Sequence, residues 1–151
     1  MNAMDMSAWS ASWMWSLPLI VVTVLFHTVC LALLNRRVTR IIVNLGGRRV
    51  PQLIATGVMG TVVLSVTVLH GVEASAWAFA FVLLGALPDG KIAMLYSLGA
   101  MTTFGHANIY LLPHWQLSGT LESLNGMILF GLTTAFLFTV FEQVRPHVAR
   151  G

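Results

Sequence analysis

Leu17 to Leu34 reads LPLIVVTVLFHTVCLALL, an apolar run broken only by Thr23, His27 and Thr28. As a helix rising 1.5 Å per residue it covers about 27 Å, close to one hydrocarbon thickness of a bilayer. Two more apolar runs follow. Pro51 to Leu87 is interrupted by His70, Glu73 and a few small polar residues, and Leu117 to Phe141 carries Glu122, Asn125 and Thr133-Thr134. The chain of 151 residues is 57% hydrophobic and only 9% charged. Soluble domains carry about 25% charge, so this chain has too few charges to cover a water-facing surface. The expected fold is an all-α membrane protein with three transmembrane helices.

The net charge of +3 does not point to nucleic acid once the charges are placed. Arg36, Arg37, Arg40, Arg48 and Arg49 crowd between the first two apolar runs, Arg145 and Arg150 lie at the C-terminus, and Lys91 stands apart. Cytoplasmic segments collect Lys and Arg, so the basic loop Asn35–Val50 belongs inside. The N-terminus is then outside, 88–115 outside, and the C-terminus in the cytoplasm. The first run lacks a basic leader and a small-residue cleavage site and ends in Arg36-Arg37, so it reads as a retained helix and not as a signal peptide. Trp9, Trp13 and Trp15 suit the membrane–water interface. The sole cysteine, Cys30, reads as a small buried hydrophobe.

Pro51 suits a first helical turn, and Gly71 is a plausible bend or end for a helix of about 51–70 that continues through Trp77. Pro88-Asp89-Gly90 is a turn. Lys91 to Met101 is too short to span, so with both its flanks outside it reads as a re-entrant segment. It leads into Thr102-Thr103-Phe104-Gly105-His106-Ala107-Asn108, and Ile109 to Trp115 forms a return loop.

His70 and Glu73 stand one turn apart and share a face if the helix continues. With Glu122 they are the buried ionisable residues, and intramembrane ionisable residues are functional hypotheses by default. Two readings stay open: mutual neutralisation beside the short helix, or a site for a proton or divalent ion. His27 reads as packed or hydrogen-bonded, and His114 as interfacial. No nucleotide loop, nucleophile triad or CxxC pair is present, and Gly46-Gly47 is too short to cradle a phosphate. The reading is of a protein that is no enzyme, with no cofactor and no resident metal.

Residues 93–138 resemble the pore region of tetrameric potassium channels. In that family a pore helix leads into T-T-V-G-Y-G-D. Here Ala93-Met94-Leu95-Tyr96-Ser97 precedes Thr102-Thr103-Phe104-Gly105-His106-Ala107-Asn108, and Phe130-Gly131-Leu132-Thr133-Thr134-Ala135 is similar to the inner-helix glycine region. Leu121-Glu122-Ser123-Leu124-Asn125-Gly126 looks like a stretch found in small bacterial ion-channel proteins. The resemblance implies a homotetramer in a bacterial plasma (inner) membrane that passes monovalent cations, potassium or sodium. It implies a filter of residues 102–108 and a pore-lining helix presenting Asn125, Gly126, Gly131, Thr133 and Thr134. Residues 1–50 would be a peripheral helix with its basic loop, and 51–151 the pore domain. Backbone carbonyls of Thr103 to His106, in four copies, would replace the ion's water. Aiming successive carbonyls at one axis needs alternating backbone handedness, which glycine permits. Gly105 keeps the first glycine. Ala107, His106 and Asn108 replace the second glycine, the tyrosine and the aspartate, which implies weak selectivity. The alternatives are a non-conducting accessory or structural membrane subunit and a proton or metal transporter using His70, Glu73 and Glu122.

Overall fold

The computed structural model has four helices, three long ones formed by the apolar runs, the first with Pro18 inside it, and one short. It describes residues 3–44, 52–105 and 108–145, with the backbone alone for 3–5. In chain order they are α1 (Ala3–Asn44), α2 (Gln52–Leu83), α3 (Gly90–Met101) and α4 (Gln116–Val144), with a single 3-10 turn at Pro113–Trp115. The described residues contain no strand. Three helical stretches, Met6–Asn44, Gln52–Leu83 and Pro113–Val144, are long and apolar enough to cross a membrane.

Two expectations are corrected. Residues 35–44 continue α1 as helix. Arginine is a strong helix former, and no glycine breaks the pattern before Gly46. Nor does α2 end or break at Gly71. A lone glycine costs a helix about 1 kcal/mol, which the apolar residues around it offset, and Ser75 Oγ donates to the Gly71 carbonyl at 2.8 Å. Instead α2 stops at Gly85, whose φ is +65°. There the Ala86 N–H donates to Phe81 O and the Gly85 N–H to Val82 O, the paired bonds of a glycine C-terminal cap.

The chain divides into two compact units, Met1–Leu25 with His70–Leu129, and Phe26–Leu69 with Phe130–Gly151. The first unit is centred on Trp77 and Phe81 of α2, Ala93 and Met101 of α3, Leu111 and Leu129. The rings of Trp77 and Phe81 lie 5.9 Å apart, and Phe81 meets Tyr96 edge-on at 5.6 Å. In this unit α1 and α4 run in the same direction: Ser12 Oγ donates to the His114 carbonyl at 3.2 Å, and Asn125 Nδ2 donates to Thr23 Oγ1 at 2.9 Å.

The second unit packs Leu31 and Val38 of α1 with Val62, Val66 and Leu69 of α2 and Phe136 and Val140 of α4. Here too α1 and α4 are joined by polar side chains. His27 Nε2 and Thr133 Oγ1 lie 3.1 Å apart, and Gln143 Nε2 donates to Asn35 Oδ1 at 2.9 Å.

Candidate functional site

Asp89 starts α3. Its carboxylate accepts from the backbone N–H groups of Lys91 and Ile92, each at 2.9 Å, satisfying two donors that a helix start leaves free. Along α3, Ala93, Ser97, Ala100 and Met101 are buried, while Leu95, Leu98 and the capping residue Thr102 are exposed. The helix lies alongside the first part of α4 in the same direction. Tyr96 meets Gly119, and Met101 meets Gly126. A Cβ on Gly126 would collide with the Met101 carbonyl, and one on Gly119 with the Tyr96 hydroxyl. Met101 thus lies opposite a residue ten positions into α4, about 15 Å from its start.

At that point the backbone leaves the helix. Thr102 is right-handed, with φ −83° and ψ −1°, and its hydroxyl donates to Leu98 O at 2.7 Å. Thr103 has φ +58° and Gly105 φ +75°, whereas Phe104 between them does not enter the positive-φ region. The Gly105 N–H folds back to Gly99 O at 3.1 Å. Left-handed backbone is open to glycine, but for a β-branched residue such as Thr103 it is a genuine outlier costing about 1–2 kcal/mol. Such strain concentrates at functional positions. Thr103 and Gly105 are both exposed, and Phe104 is 87% exposed. A cavity of about 370 Å³ opens beside them, lined by Tyr96, Thr103, Gly105, Tyr110, Thr120 and Ser123 among others. Asn108 is exposed. His106 and Ala107 lie outside the described residues.

Of the five residues expected on a pore-lining face, three are buried in contacts of their own unit. Asn125 binds Thr23, Gly126 backs Met101 and Thr133 meets His27. Gly131 and Thr134 are exposed, and the Thr134 hydroxyl donates to Phe130 O at 2.8 Å. The buried ionisable residues separate into two places. His70 Nδ1 lies 3.2 Å from Glu73 Oε2 one turn away on α2. Glu122 is fully buried on α4, with the hydroxyl of Ser97 on α3 beside its carboxyl.

The place of Ser97 beside Glu122 and the role of Thr23 went unread in the sequence. Thr23 and His27 are four residues apart on α1, and Asn125 and Thr133 eight apart on α4. Each pair therefore shares a helix face, the available hint that these two helices meet through polar side chains. No protein-family model, curated protein or solved structure matches this chain.

Proposed function

We propose that this chain is the subunit of a fourfold cation pore, with α3 as a re-entrant pore helix and residues 102–108 as its filter. The observation that carries the reading is the alternation at the end of α3: left-handed Thr103 and Gly105, separated by Phe104 and preceded by right-handed Thr102. In an extended segment such an alternation of handedness would turn successive carbonyls toward one side.

Depth supports it. About 15 Å along α4 is half of a hydrocarbon thickness of about 30 Å. Exposed non-helical backbone at that level is not tolerated against lipid, where each unsatisfied group costs several kcal/mol. It is tolerated lining a water-filled path or covered by protein, and a ring of copies around a shared axis supplies both. On α4, Gly131 and Thr134 are the exposed members of the expected pore-lining set. In the orientation that the positive-inside rule favours, Arg36, Arg37 and Arg40 face the cytoplasm and Asp89 the outside.

Ala107 stands where a left-handed glycine would continue the alternation, and Asn108 removes a ring of negative charge from the mouth. The pore is therefore poorly selective, and a ring of four copies of His106, histidine being the side chain whose ordinary charge change falls between pH 5 and 8, weakens it at acid pH. The test is flux of potassium against sodium through reconstituted protein at pH 6 and 8. Selectivity rises in Ala107→Gly, and further with Asn108→Asp. Strong potassium selectivity in the native protein would refute the argument from Ala107. Absence of flux in both native protein and double variant would favour a non-conducting accessory subunit.

A further inference from the structure

We propose that the second unit carries a binding site for an anionic glycerophospholipid, its headgroup held by Arg36, Arg37 and Arg40 and one acyl chain lying in the groove between α1 and α2. The proposal does not depend on whether the protein conducts.

The three arginines are exposed and make no ion pair or hydrogen bond among the described residues. Their spacing places them within an arc of about 100° on α1. The opposite side of this segment is occupied: Val38 is in the core, and Asn35 accepts from Gln143. The arginine face is not purely polar, because Leu33, Ile41 and Val43 are exposed on it or at its edge, Val43 at 68%. Arginines set among bare aliphatic side chains suit a membrane boundary better than a face turned to water. A lipid surface accepts both, with stems and aliphatic groups at the acyl boundary and guanidinium groups among phosphates. Arginine also matches phosphate geometry through paired N–H donors.

Beside this face is a groove of about 390 Å³, walled by Leu34, Val38 and Ile41 of α1 and Ile54, Val58 and Val62 of α2. Its two hydroxyl-bearing residues offer no free donor. Thr61 Oγ1 donates to Gly57 O at 2.9 Å and Ser65 Oγ to Thr61 O at 2.8 Å. An occupant therefore meets hydrocarbon, as an acyl chain requires. Arg37 follows Leu34 by three residues and precedes Ile41 by four, so it stands at the groove's rim. The order along the helices suits a lipid of the inner leaflet, headgroup near residues 37–41 and chain running toward Leu34 and Ser65.

Native mass spectrometry of the purified full-length protein, titrated with phosphatidylglycerol and phosphatidylcholine, tests the site. Phosphatidylglycerol binds the native protein more tightly. The triple change Arg36→Gln, Arg37→Gln, Arg40→Gln weakens it about a hundredfold, on about 1 kcal/mol per basic residue, and leaves phosphatidylcholine unchanged. The same positions changed to Lys keep most of the preference. Gly57 has open space where a Cβ would stand, so Gly57→Leu fills the groove without disturbing the fold and reduces binding of both lipids. Equal affinity for the two lipids, or phosphatidylglycerol binding untouched by the glutamines, would overturn the headgroup claim. Unaltered binding by Gly57→Leu would overturn the groove. Displacement of phosphatidylglycerol by inorganic phosphate at equal concentration would show a free-phosphate site in place of a lipid one.

Discussion

Gly126 of α4 lies against the main chain of Met101, the last residue of α3, with no room for a Cβ between them. The contact fixes where α3 ends and so where the left-handed pair Thr103 and Gly105 begins. Gly126→Ala must push the end of α3 away, and overpacking of this kind costs about 1–3 kcal/mol. The expected outcome is a lower unfolding temperature together with altered permeation. Gly131→Ala, which meets open space, is the control and holds or raises the unfolding temperature, since alanine is favoured over glycine inside a helix by about 1 kcal/mol. Equal stability of the two variants would show that the Met101 contact is not a tight one.

The link between Thr23 and Asn125 is buried at both ends. Thr23→Val keeps the shape of the side chain but removes the oxygen that accepts from Asn125 Nδ2. A buried donor left unsatisfied costs about 1–3 kcal/mol. Thr23→Ser restores the oxygen and recovers most of the loss. Thermal unfolding of the two variants in the same detergent checks this, and a Val variant as stable as the Ser variant would contradict it.

The three long helices and the short one were legible because bilayer thickness sets a length that apolar runs meet or fail to meet. The start of α3 was legible in the turn Pro88-Asp89-Gly90. Where α1 and α2 end was not. Arginine after Leu34 signals topology but is also a good helix former, and Gly71 marks a possible break that surrounding residues override. Of the site, the Thr102–Gly105 segment was visible as residue types, while its handedness emerges only in the folded backbone. The pairing of Thr23 with Asn125 and the nearness of Ser97 to Glu122 were hidden, since sequence shows which face a residue occupies and not which helix it meets.

Glu122 and Glu73 are both fully buried. Glu122→Ala removes a packed side chain and leaves Ser97 beside a void, a loss of about 2 kcal/mol or more. Glu73→Ala removes the carboxylate 3.2 Å from His70 and costs about 1–3 kcal/mol. Each variant therefore unfolds at a lower temperature than the native protein. An unchanged profile in the double variant would mean that both carboxylates face water.

Orientation is checked by cysteine labelling in whole cells, in a Cys30→Ser background. Asp89→Cys reacts with an impermeant thiol reagent, whereas Asn44→Cys reacts only after the cells are opened. The reverse pattern would invert the topology.

The central claim is that Thr103 and Gly105 present backbone carbonyls to a path shared by four copies. Electron cryomicroscopy of the full-length protein in lipid nanodiscs with potassium tests it most directly. The account predicts a fourfold ring with Thr103 and Gly105 nearest the axis and cation density between opposing carbonyls. A monomer, another stoichiometry, or a ring in which these residues face lipid with no density on the axis would contradict it.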